Sequence, residues 1–158
     1  MMNKTISQFI KEQTCAGICC VDETGKPYCF SCFYAVNVEK GLLYFKSSKE
    51  SHHATLLMQH PFVAGTVLPD KLHALVVKGL QFEGVLLDKQ HPLAQNASGN
   101  YHKANPMALA VPGEIWTIQI NSIKMTDSTL GFGKKISWQR ELENQAVALE
   151  IINNLHLN

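Results

Sequence analysis

Residues 41–67 read GLLYFKSSKESHHATLLMQHPFVAGTV, and the reading of this stretch decides the rest. Residues 42–46 are apolar and aromatic, the signature of a strand. Ser47-Ser48-Lys49-Glu50-Ser51-His52-His53 then crowds hydroxyls, imidazoles and one ammonium into a single turn. Ala54-Thr55-Leu56-Leu57-Met58 favours a helix, which Pro61 stops, and residues 62–68 give the next strand. A strand feeding a serine-rich helix start has two readings. The unpaired N–H groups of the first helical turn, joined by hydroxyl donors, favour an anion such as a phosphate. Ser48 or Ser51 is equally suited to cap the helix and do nothing more. The stretch alone leaves both readings open.

The chain has 158 residues, enough for one domain with a core of its own. A single domain over residues 1–158 is expected, its core at about 14–139. A net charge of +1 offers no electrostatic basis for binding nucleic acid or an acidic membrane. No run reaches the roughly 18 apolar residues that cross a bilayer. The opening MMNKTISQFIKEQ is too polar for a signal peptide, and a cytoplasmic location is expected. Five cysteines, at 15, 19, 20, 29 and 32, are an odd number, which fits free thiols in a reducing cytosol. Cys29-Phe30-Ser31-Cys32 has redox-motif spacing. It lies in a strand-like run, however, where residues three apart face opposite ways. The cysteines are expected to be small core residues.

Outward from the opening stretch, Thr5-Ile6-Ser7-Gln8 resembles a capping box, and a helix is expected at 5–13. Strands are expected at 15–21 and 28–37, with a turn between them. Residues 75–87 form a long strand in which Gly79 and Gly84 signal a bulge, a bend or the close approach of a ligand. Residues 91–106 hold short helices. Strands follow at 115–120 and 123–126, separated by a turn or bulge at Asn121-Ser122. A last strand lies at 136–139. From Arg140 onward, Leu142, Ala146, Leu149 and Ile152 recur at helical spacing. Six or seven strands without βαβ alternation make the fold mainly β, a predominantly antiparallel barrel with peripheral helices.

Several chemistries lack their signatures. The histidines and cysteines show no zinc-finger or HExxH spacing, and no metal site is expected. There is no GxSxG elbow, P-loop or GxGxxG. The tract Thr126-Asp127-Ser128-Thr129-Leu130-Gly131-Phe132-Gly133-Lys134-Lys135 is the second unusual stretch. Its glycines could let backbone pass close to a planar ligand while the lysines face an anion, or it is a hairpin turn with solvated lysines. Trp116 and Trp138 read as core or interface residues.

These tracts together carry a resemblance. Phe33-Tyr34, Leu43-Tyr44-Phe45, Ser51-His52-His53-Ala54, Val63 to Val67, Lys78 to Gly84, and Lys124 through Lys135 to Trp138 stand in the order seen in the flavin-binding split-barrel superfamily typified by pyridoxamine 5′-phosphate oxidase. Within it, the chain most resembles the small bacterial YhbP-like, or UPF0306, family. The resemblance runs from about residue 5 to 140. It implies a six-stranded antiparallel split barrel, a homodimer, and FMN in each of two clefts between subunits. It places Ser47, Ser48, Ser51, His52 and His53 at the FMN phosphate. The strand from Cys29 to Tyr34, with Phe30, Ser31, Cys32 and Phe33, would lie along the isoalloxazine ring. Gln81, Lys134, Lys135 and Trp138 would reach the flavin from the same or the partner subunit. The activity implied is a flavin-dependent oxidoreductase acting on an unidentified small substrate. The alternatives are a non-catalytic flavin or haem binding or sensing protein, and a structural dimer whose cleft has lost its ligand. The oxidase proper uses an arginine near the start of the second strand and an Arg-Lys pair after the third. Here Cys29 and His52-His53 stand in those places, which argues against pyridoxamine-phosphate oxidation itself and leaves fewer fixed cations for a phosphate.

Overall fold

A computed structural model describes residues 2–131 and 134–140. The expected helical tail beyond Arg140 and the Phe132-Gly133 pair lie outside the described residues. The order is α1 (Lys4–Glu12), β1 (Cys15–Val21), β2 (Pro27–Asn37), β3 (Leu42–Ser47), α2 (His52–Gln59), β4 (Phe62–Val67), β5 (Lys78–Leu87), α3 (Ala97–Ala104), β6 (Glu114–Asp127) and β7 (Lys135–Gln139). Short 3-10 turns at Pro92–Ala94, Pro106–Ala110 and Ser128–Leu130 join them. No helix among the described residues is long and apolar enough to cross a membrane.

The strands run β3-β2-β1-β4-β5-β6-β7, and β3 also pairs with β6. Six antiparallel strands therefore close into a barrel, and β7 is a further strand. The long β6 makes both arrangements possible. Its first half, Glu114 to Gln119, pairs with β3, and its second half, Ser122 to Thr126, pairs with β7. The barrel wall is thus split where β6 changes partner.

Alternation builds the core. In β4 every second residue is buried, as period two demands of a sheet with one apolar face. Leu43, Phe45, Ile18, Phe82, Ile118 and Ile120 are almost wholly buried in one cluster. Each such side chain contributes about 1.5–3 kcal/mol by leaving water. Gly65 faces inward and a Cβ there would sit 2.2 Å from the Phe82 ring, so the ring fills the space a side chain would take. Helix α1 covers the barrel with Ile6, Phe9 and Ile10, and the Tyr34 hydroxyl ties it down by donating to the Ile10 carbonyl at 2.5 Å.

The structure corrects several expectations. The cap of α1 is Asn3, whose side chain accepts from the Thr5 N–H at 2.8 Å, and not Thr5. Asn is as strong an N-cap as any residue and stands two places earlier. Strand β5 begins at Lys78, so residues 75–77 are not strand. The two strands expected at 115–120 and 123–126 are one, β6, with a bulge that leaves Asn121 opposite no residue of β5, between Ile120 (facing Gly84) and Ser122 (facing Glu83). What approaches Gly84 is the backbone of β6, since a Cβ there would stand 2.5 Å from the Gln119 carbonyl oxygen. Among the cysteines only Cys20 is buried. Cys15 and Cys29 are exposed, and Cys19 and Cys32 are intermediate. The strand parity is as expected: Cys29 faces out and Cys32 faces in.

Candidate functional site

The turn between β3 and α2 is built from its own side chains. Ser51 is the N-cap of α2, its hydroxyl accepting from the Ala54 N–H at 3.3 Å and donating to the Ser48 carbonyl at 2.8 Å. The capping reading of Ser51 is the one observed. Ser47 Oγ lies 3.2 Å from Ser51 Oγ and 2.6 Å from His53 Nε2. The Trp116 indole donates to the Ser47 carbonyl at 3.1 Å and fixes the end of β3. Burial, with a smaller contribution from His52, lowers the His53 pKa below its ordinary value and favours the neutral ring. The other charges of the turn face each other. Ser48 donates to Glu50, which holds that carboxyl below its usual range, and Lys49 stands 4.0 Å from the same carboxylate.

A second feature is a cavity of about 820 Å³ on the outer wall of the barrel, where β2, β1, β4, β5, β6 and β7 lie side by side. That volume is in the range of cofactor pockets. Phe30 and Ser31 of β2, Gln81 of β5 and Trp138 of β7 all line it. Trp138 is half-buried, with its ring packed on the core and the Arg140 guanidinium 5.8 Å from its centroid. Arg140 donates to the carbonyls of Ile120, Lys40 and Gly41 and clamps β7 across the β2–β3 turn.

Phe30 stands between the two features. It lines the cavity, and its ring stacks on His53 with centroids 3.8 Å apart and planes 10° apart. Tyr28, two residues earlier, meets His52 edge-on at 4.8 Å. By strand parity the Phe30 ring stands on the core-side face of β2 with Cys32, opposite the face that Cys29 and Ser31 turn to the cavity, so the Ser/His turn and the cavity lie on opposite sides of this strand.

The sequence-predicted residues divide accordingly. Phe30, Ser31, Gln81 and Trp138 come together in the cavity. Ser47, Ser48, Ser51, His52 and His53 form the adjoining turn. Cys32 points inward, packs on the core and is pushed up to about 12 by burial. Phe33 is exposed on the outer face but does not line the cavity, and Lys134 and Lys135 are exposed outside it. Cys29, at the start of the strand expected along the ring, lines the cavity too, and sequence reading missed Cys19, Glu83 and Lys124, which also line it. Their signal was available in Gln81-Phe82-Glu83, where polar residues two apart mark the outer face of a strand.

The class of protein is the split barrel. Superposition on solved structures aligns 83% of the chain with a haem-binding protein from Mycobacterium smegmatis at a TM-score of 0.68 and 13% identity. The chain spans only 55% of that larger structure. A FAD-binding protein from Mesorhizobium loti aligns over 80% of this chain and 95% of its own, with a TM-score of 0.63 and 14% identity. HutZ, the haem storage protein of Vibrio cholerae, aligns over 74% of this chain and 88% of its own at 0.53 and 16% identity.

No family model matches the chain, but individual relatives do. A UPF0306 protein of Photorhabdus laumondii is 37% identical over 72% of the chain and 79% of the relative. One from Yersinia enterocolitica is 31% identical over 89% and 94%, and Escherichia coli YhbP 31% identical over 77% and 86%. The chain belongs to the UPF0306 (YhbP) family, and its fold is the split barrel.

Proposed function

We propose that the chain is an FMN-binding flavoprotein whose flavin serves an oxidoreductase reaction on a small substrate. The observation that carries this reading is the cofactor-sized cavity lined by Phe30, Ser31, Gln81 and Trp138, with a hydroxyl-rich helix start on the other side of β2. The chain's own groups suit the two ends of FMN. Ser47 and the first-turn N–H groups of α2 that Ser51 does not cap offer donors to a phosphate. The outer face of β2 at Ser31 and the half-buried Trp138 offer a wall for a flat ring system. When bound, FMN would supply two-electron hydride chemistry, and the protein would orient it and exclude water. The exposed Phe33, Met58 and Phe62 support a homodimer whose second subunit closes the open side of this cleft.

The second reading is a flavin or haem carrier without turnover. It is favoured by the exposed His52 edge beside Tyr28 and by the haem-binding split barrels among the structural neighbours. Titration of the purified protein with FMN and, separately, with haem distinguishes the readings. Quenched flavin fluorescence, a shifted visible band and NADH- or NADPH-driven turnover support the first. A Soret band with no response to FMN replaces it with the second. No response to either ligand removes both.

A further inference from the structure

The outer wall of the cavity carries two sulfurs that neither reading uses. Cys19 of β1 and Cys29 of β2 are direct cross-strand partners in the antiparallel register. Residues so opposed on one face bring their Cα atoms to about 4.5 or 5.5 Å, inside the span a disulfide bridges. Both side chains line the same cavity. Cys29 is exposed and Cys19 intermediate, so a small reagent entering the cleft meets both. The neighbouring Cys29 sulfur, together with burial, pushes the Cys19 thiol up to about 11. Cys29, the more exposed of the two, meets such a reagent first. The other three cysteines stand apart. Cys20 is buried with its thiol toward the Tyr28 carbonyl, Cys32 faces the core, and Cys15 is paired in register with Phe33. Among the described residues no cluster of three or more His, Cys, Asp or Glu side chains could hold a metal ion, which separates a redox dithiol from a metal site.

We propose that Cys19 and Cys29 are a redox-active dithiol in the cleft, closed to a cross-strand disulfide by a hydroperoxide. The Cys29 sulfur, as thiolate, attacks the distal oxygen of the hydroperoxide. The O–O bond breaks, the departing oxygen takes a proton and leaves as alcohol or water, and Cys29 becomes a sulfenic acid. The Cys19 sulfur then attacks the Cys29 sulfur, the S–O bond breaks, and water leaves with the Cys19 proton. In sum, two thiols and one hydroperoxide give one disulfide, one alcohol and one water. The wall beside Phe30 and Ser31 thereby loses two thiol donors and gains a rigid link between β1 and β2. The proposal does not depend on which ligand fills the cleft.

The test is thiol counting on the full chain. Fully reduced protein is treated with one equivalent of tert-butyl hydroperoxide, alkylated with N-ethylmaleimide under denaturing conditions, and weighed by intact mass spectrometry. The expected result is a loss of two alkylated thiols from the five of the sequence. Cys15→Ser, Cys20→Ser and Cys32→Ser should each still lose two. Cys19→Ser should lose one and accept dimedone at Cys29. Cys29→Ser should lose none. Both substituted positions in that last pair are accessible, so the variants are expected to fold, which circular dichroism checks. Five alkylated thiols after oxidation of the wild type would overturn the proposal. So would a two-thiol loss that persists in Cys19→Ser or Cys29→Ser.

Discussion

The Ser47–His53 turn and the Asp127–Leu130 turn look alike in sequence and differ in structure. Both are short polar runs at the end of a strand, rich in hydroxyls and followed by lysine or histidine. At the second, Asp127 is buried and fully engaged. Its carboxylate accepts from the Thr129 N–H at 3.0 Å and the Thr129 hydroxyl at 2.5 Å, and pairs with Lys78 at 3.1 Å. Ser128 adds bonds in both directions to Val77. This turn is a latch that ties β5 to the end of β6. At the first, Ser47 and His53 bond each other while remaining only partly buried, and the Phe30 ring stacks on His53. A polar turn is locked into the fold when a charge is buried in it, and keeps its groups accessible when it sits at an exposed helix end.

Removing the latch should have the largest effect. Asp127→Ala loses the bonds from Thr129 and leaves Lys78 without its carboxylate, which should lower stability by about 2–4 kcal/mol in urea unfolding. The same group predicts an acid limit. Burial alone would raise the Asp127 pKa, but bonds from Thr129 and Lys78 more than reverse this and hold it below its ordinary value. Its contribution is therefore present above the unfolded value near 3.8 and is lost as pH falls through the lower folded value. An Asp127→Ala protein whose unfolding midpoint matches the wild type would erase the distinction between the two turns.

Ser47→Ala tests the other side of the comparison. It should leave stability within about 1 kcal/mol, since the lost bonds are partly solvated. FMN affinity should drop about tenfold or more, through the loss of a donor to a charged phosphate. Fluorescence titration and thermal unfolding on the same samples separate the two effects. A large stability loss with unchanged affinity would make this turn a latch as well.

The pH dependence of FMN binding should be smaller and opposite to that of stability. His53 has a folded pKa below its unfolded value, so its neutral form is favoured in the fold. Stability from this group is full above the unfolded value near 6.5 and declines as pH falls towards the folded value. Over the same window the imidazolium gains a charge for a phosphate, and FMN affinity should rise several-fold. His53→Asn should flatten that slope in titrations at successive pH values.

Lys134→Ala and Lys135→Ala should change least. Both lysines are exposed. Stability should stay within about 0.5 kcal/mol of wild type by urea unfolding.

Much of this was legible before the coordinates. In β4, Phe62-Val63-Ala64-Gly65-Thr66-Val67 alternates so regularly that burial follows from parity alone. The turn after β3 was legible as a helix start because serine is a preferred cap, and Ser51 takes that place. Other features were hidden for physical reasons. That Asp127 is a latch depends on Lys78, a partner on another strand. That Cys19 faces Cys29 depends on register, which pairs residues across a turn. The continuity of β6 was masked by Asn121, a residue suited to turns that here occupies a bulge. The position of Trp138 against Gly41 depends on where β7 adds to the sheet, which no local pattern specifies.

The closure of the barrel by β3 and β6 also bears on how fast the chain folds. The bond from the Trp116 indole to the Ser47 carbonyl joins residues 69 apart in sequence. Such a contact is reached only after a long loop has been closed, and folding slows as contacts become less local. Strands β1 and β2, joined by the short turn at Asp22–Lys26, can pair early. The contact that fixes the end of β3 is therefore among the last to form, after β1 and β2 have paired.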